Sequence, residues 1–210
     1  MDSQAVVVRY ATTLIAQKAP KFVVFAYAVS QAGPYNIEQT HRVYRSGLSV
    51  RDETLALDGR ALKPADRIVR IARYRDRYAL ASLAPRLADY TLRFESAKRT
   101  GDRFTYGFRA IPAVGGLTYA VDSVAIDGKT FLPSNIRFHI TGRAAKAAGT
   151  ARFARFGRYW MPVEVSVTAK ISGKPARERI AFSGYQFPES LPKSTFRAPK
   201  PLPTPASPTL

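Results

Sequence analysis

Apolar and polar side chains alternate along most of this chain, most cleanly in its middle. Tyr90, Leu92 and Phe94 alternate with Thr91, Arg93 and Glu95. After Thr100-Gly101-Asp102, Phe104, Tyr106 and Phe108 alternate with Arg103, Thr105 and Arg109. A period of two puts successive side chains on opposite faces of a strand, so the pair predicts a hairpin with one dry and one wet face. The same period recurs at Ile136, Phe138 and Ile140, set against Arg137 and His139. It returns at Val163, Val165, Val167, Ala169 and Ile171, and a Ser172-Gly173-Lys174-Pro175 turn leads on to Ile180 and Phe182.

Earlier strands are read at Lys21–Ser30, which carries Val23, Phe25, Tyr27 and Val29, and at Asn36–Arg45, Leu48–Leu57 and Arg67–Arg73. Gly-containing turns at Ala32-Gly33-Pro34, Ser46-Gly47 and Asp58-Gly59 punctuate them. Over Leu117–Ile126 the apolar parity shifts from odd (Leu117, Tyr119, Val121) to even (Val124, Ile126), which predicts a bulge near Asp122-Ser123. Two segments read as helix. In the first, Val6, Tyr10 and Leu14 recur every four residues behind Ser3 as N-cap, with Pro20 closing it. The second is Tyr78–Ala88, helix or helical loop around Pro85. The result is an α+β chain, mainly antiparallel β, with about ten strands and two helices. Residues 1–197 form one domain; from residue 198 the recurring prolines Pro199, Pro201, Pro203, Pro205 and Pro208 predict an extended or disordered tail.

Ten strands about 4.8 Å apart make a sheet roughly 45 Å wide, and two helices about 10 Å across roof about half of it. The sheet must then curl, close, or hold something apolar, because soluble proteins rarely leave so large a greasy face open. The dry face is rich in rings and aliphatics: Phe25, Tyr27, Val43, Phe94, Phe104, Tyr106, Phe108, Phe138 and Val165 are its candidate ligand-contacting residues. Taken singly, each also reads as ordinary core.

Charge changes the picture more than composition does. In 210 residues, 33 Lys and Arg face 15 Asp and Glu, a net charge of +18, so the surface should attract polyanions. The cluster Arg67, Arg70, Arg73, Arg75 and Arg77, with Arg42, Arg45 and Arg51, reads first as a solvated basic face, next as a rim that attracts anionic lipid headgroups, and last as a nucleic-acid surface, since the aromatics take the dry phase of their strands while the chain's cations scatter over the wet one. The chain has no Cys, which excludes disulfides and thiol chemistry. His41 and His139 read as ordinary strand positions, and Asp52 and Glu53, adjacent on a strand, face opposite ways and make a poor acid–base pair. No nucleophile-elbow or phosphate-loop motif is present, and neither a catalytic site, a metal site nor a cofactor is expected. The start, Met1-Asp2-Ser3-Gln4, lacks the positive n-region of a signal peptide, so the chain is read either as cytosolic or as one whose signal has been removed.

Several short motifs then come in a telling order. Val43-Tyr44-Arg45-Ser46-Gly47 and Arg51-Asp52-Glu53 lie early, Tyr159-Trp160-Met161-Pro162 opens a late strand, and Ile180 to Pro188 (IAFSGYQFP) and Leu191 to Phe196 (LPKSTF) close the chain. Over residues 3–196 this resembles the LolA/LolB-like superfamily of bacterial outer-membrane lipoprotein-sorting proteins and their relatives. The resemblance implies a strongly curved, unclosed half-barrel whose concave side, lidded by the helices, holds acyl chains without catalysis in the periplasm or elsewhere outside the cytoplasm. It implies acylated lipoprotein or lipid as the partner, with an anionic membrane surface nearby. Carriers of this kind place an Arg, usually followed by Pro, on an early strand to help hold the ligand; Arg42 and Arg45 stand nearest, and neither precedes Pro. An envelope sensor that packs the same half-barrel against a protein partner fits the resemblance as well.

Overall fold

The alternation is realised as one antiparallel sheet. The computed structural model describes residues 2–76, 78–141, 146–171 and 173–197; Arg77, Ser172 and the Pro-rich stretch from 198 lie outside the described residues. Helix α1 spans Ser3–Ala16 and leads into β1 (Phe22–Ala32), β2 (Ile37–Ser46), β3 (Ser49–Leu57), the two-residue β4 (Arg60–Ala61) and β5 (Val69–Arg73). One helical turn, α2 (Leu80–Leu83), precedes β6 (Tyr90–Thr100), β7 (Arg103–Pro112), β8 (Tyr119–Asp127), β9 (Pro133–Thr141), β10 (Lys146–Phe156), β11 (Tyr159–Ile171) and β12 (Lys174–Gln186).

The strands lie in the order β4-β3-β2-β1-β12-β11-β10-β9-β8-β7-β6, with β5 sharing the outer edge of β3. Because β12 inserts between β1 and β11, the first and last strands of the chain meet in the middle of the sheet. The sheet is curved and unclosed: β6 forms one margin, β4 and β5 the other.

Helix α1 lies on the concave face. Val6, Val7 and Tyr10 are buried against Phe108, Val124, Ile126, Ile136, Phe138, Ala151 and Val165 of β7 to β11; full burial of such side chains contributes about 1.5–3 kcal/mol each. Leu80 and Leu83 of α2 join the same cluster. The Tyr10 hydroxyl donates to the Pro85 carbonyl at 2.7 Å and fastens α1 to the segment that follows α2. A second cluster, Val23, Phe25, Val43 and Val50, holds β1, β2 and β3 together, with Met161, Phe182, Tyr185 and Phe187 packed on it.

Three expectations change. The sheet has twelve strands rather than about ten, the additions being β4 and β10. Strand β10 (KAAGTARFARF) carries few large apolar side chains and reads weakly by pattern, but Gly149 has a positive reason to be small. A Cβ there would lie 2.5 Å from Cζ of Phe138 on β9, its Cα partner in the ladder. Ser3 is the first residue of α1 rather than its cap: Asp2 takes that place without a side-chain capping bond. The second helix is confined to Leu80–Leu83, since Pro85 cannot continue it. The bulge falls where the parity shift puts it: Val121 pairs with Phe138 and Ser123 with Arg137, leaving Asp122 extra.

Candidate functional site

Helices α1 and α2 cover the concave face of β7 to β11, but they stop short of β1 and β2. In the space left, a cavity of about 580 Å³ opens between the end of α1, the α2 segment, β1, the β2–β3 turn and the start of β11. Its walls are mostly apolar. Leu14 and Pro20 come from α1 and its exit, Val23 and Phe25 from β1, Leu80 from α2, Trp160 and Met161 from β11, and Tyr185 from β12. The volume lies within the roughly 300–1,000 Å³ of small-molecule sites. Lys18, Arg45, Arg75 and Arg86 stand on its lining with Asp76 as the single carboxylate there, so the rim of an apolar hole is cationic.

The walls are held by specific bonds. Trp160 donates its indole N–H to the Pro133 carbonyl at 2.7 Å, and the Tyr185 hydroxyl donates to the Pro162 carbonyl at 2.7 Å. Burial pushes the Tyr185 phenol well above its ordinary value, so it acts as a neutral donor. Arg45 is only partly tethered: Nη1 donates to the Tyr74 carbonyl at 3.2 Å, Nη2 lies 3.9 Å from Asp76, and the guanidinium sits 5.2 Å from the Tyr74 ring centre. Its Nε is buried and has no hydrogen-bond partner among the described residues.

No protein-family model matches the sequence, and no curated protein matches it. Solved structures do. An outer-membrane lipoprotein-sorting protein domain from Vibrio parahaemolyticus superposes with a TM-score of 0.51 at 12% identity, covering 93% of this chain and 97% of that one. A DUF1329 family protein from Desulfovibrio piger superposes with a TM-score of 0.53 at 10% identity, covering 92% and 96%. The chain has a LolA-like fold. A LolA superfamily protein from Nitrosomonas europaea is a more distant match, with a TM-score of 0.44 at 13% identity over 94% and 98% of the two chains.

Within the LolA-like fold the sequence-predicted site residues divide into groups. Phe25 and Arg45 line the cavity. Val43 stands beside Phe25 as its partner on β2, while Tyr106, Phe108, Phe138 and Val165 are solid core beneath α1 and α2. Phe94 and Phe104 share the concave face but lie beyond the reach of the helices, each 43% exposed. Arg42 is exposed, one residue out of phase with buried Val43, and so points away from the cavity. Pattern reading missed Leu14, Met161 and Tyr185 as wall residues. Trp160 stood in a motif without a role; the insertion of β12 between β1 and β11 brings Trp160, Met161 and Tyr185 to the wall, while Leu14 arrives on α1.

Beside the cavity lies a buried polar cluster where His41 was read as an ordinary strand position. His41 stacks on Tyr27 with ring centres 4.5 Å apart. Its Nδ1 lies 2.8 Å from one oxygen of Asp52, and its Nε2 lies 3.0 Å from the Gln39 side-chain oxygen. The Tyr27 hydroxyl donates to the other Asp52 oxygen at 2.7 Å. Both carboxylate oxygens are thus engaged, and the cluster ties β1, β2 and β3 together. Glu53 points the other way, as its parity requires, and accepts from Arg51.

Proposed function

We propose that this chain is a non-catalytic binder of acyl chains, of lipid or lipoprotein, working outside the cytoplasm in a bacterial cell envelope. The observation that carries the reading is the apolar cavity at the open end of a LolA-like half-barrel, rimmed by Lys18, Arg45, Arg75 and Arg86. Each methylene moved from water into such walls contributes about 0.8 kcal/mol, so a dozen drive tight yet reversible capture without a cofactor. The cationic rim suits a phosphate or carboxylate headgroup left at the mouth, and Arg45, whose guanidinium is only loosely tethered to Tyr74 and Asp76, is the group to hold it.

A fluorescent fatty-acid probe tests this. Ala79 is half-buried and lines the cavity, so Ala79→Trp fills it without adding charge. Probe affinity is expected to fall about tenfold or more in that variant, because lost apolar contact of about 1.4 kcal/mol already amounts to a factor of ten. Arg109→Glu, an exposed position outside the cavity lining, serves as the control and should leave affinity unchanged. Equal affinity in all three proteins would sink the assignment.

A further inference from the structure

Strand β6 is the free margin of the sheet opposite β4 and β5, and none of its residues is in the cavity lining. Among the described residues it pairs with β7 along one side only, and Arg93 to Thr100 are all exposed. A margin eleven residues long, interrupted by a bulge at Glu95 between the Phe94–Phe108 and Ser96–Gly107 pairs, presents unpaired backbone donors and acceptors on either side of that bulge, a template for one more strand. Two features say what that strand must be. On the concave face Phe94 stands opposite Phe108 and remains 43% exposed, so an apolar side chain from an added strand would find a ring to cover, while Phe104 already carries the Arg99 guanidinium 5.5 Å over its ring. Arg93, Lys98 and Arg99 outweigh Glu95 on the strand itself, and Arg103 and Arg109 extend the positive charge onto β7. A second copy would set this basic margin against its own like, on chains of +18 each; directly opposed like charges are destabilising.

We propose that the β6 edge docks an extended acidic peptide segment of a partner protein, one that alternates carboxylates with apolar residues and adds to the sheet as a further strand. This surface is separate from the cavity and does not depend on acyl binding. The charges that reject a second copy select an acidic strand, which is how edges combine exclusion with specificity.

Fluorescence anisotropy tests it with two fluorescein-labelled peptides as long as β6, one alternating Glu with Val and one alternating Glu with Pro. The two carry equal charge, but proline has no N–H to give to a ladder. The valine peptide is expected to bind about tenfold tighter and to slow hydrogen exchange at alternate amides of β6. Replacing Arg93, Lys98 and Arg99 together by Ser should weaken it about tenfold, while the same change at exposed Arg60, Lys63 and Arg73 should not. Equal binding of the two peptides, or exchange protection anywhere but β6, overturns the proposal. So does a dimer in sedimentation whose β6 amides are already protected without peptide, which would give the edge to a second copy.

Discussion

Tyr10, Tyr27, Tyr119 and Tyr185 are phenols that burial holds neutral well past their ordinary range, Tyr27 with help from the bond to Asp52. An unfolded chain begins to lose phenolic protons near pH 10, whereas these four keep theirs in the fold. The stability they contribute is therefore complete below about pH 10 and is lost as the pH climbs above it. In a tyrosinate absorbance titration, these four of the chain's 11 tyrosines should ionise only together with unfolding; smooth titration of all 11 in a folded protein would contradict their burial. Tyr10 has a second duty. Tyr10→Phe leaves the Pro85 carbonyl without its donor and should cost about 1–3 kcal/mol in denaturant unfolding. An unchanged midpoint would show that α1 is held by packing alone.

At the scale of elements, what was legible followed from side-chain size. β6, β7 and β9 announce themselves because large apolar side chains alternate with charged or polar ones, β1 because Val23, Phe25, Tyr27 and Val29 share one parity against smaller neighbours, and the bulge in β8 shows as a change of parity. β10 does not, since its small residues serve neighbours rather than themselves. Gly149→Ala brings a Cβ within 2.5 Å of Phe138 and 2.8 Å of the Ser166 carbonyl, an overpacking that should cost about 1–3 kcal/mol. Phe138→Leu in the same chain should return part of that loss, as coupled neighbours do, and urea unfolding of the double variant measures it. Simple additivity would place the strain elsewhere. The second helix was read too long because Tyr78–Ala88 has helical content on both sides of Pro85, and only its first turn survives.

Over the whole molecule, the dry face was assigned correctly by parity, yet its use was not uniform. Tyr106, Phe108, Phe138 and Val165 carry the same alternation as Phe25, and nothing local to them says that α1 lies over one set and stops short of the other. That outcome depends on where a 14-residue helix ends on a twelve-stranded sheet. Trp160, Met161 and Tyr185 likewise become wall residues only through strand order, which sets side chains from β11 and β12, far along the chain, beside β1. The helices thus plug most of the concave face and leave one apolar hollow with a cationic rim. Trp160 is the single tryptophan of the chain and stands on the wall of that hollow, so it reports directly on any occupant. The decisive measurement is quenching of its fluorescence by a fatty acid brominated along the chain, with the unbrominated acid as control. The account predicts saturable quenching by the brominated acid alone, much weakened in Ala79→Phe; an absence of saturable quenching, or quenching untouched by that substitution, would contradict it.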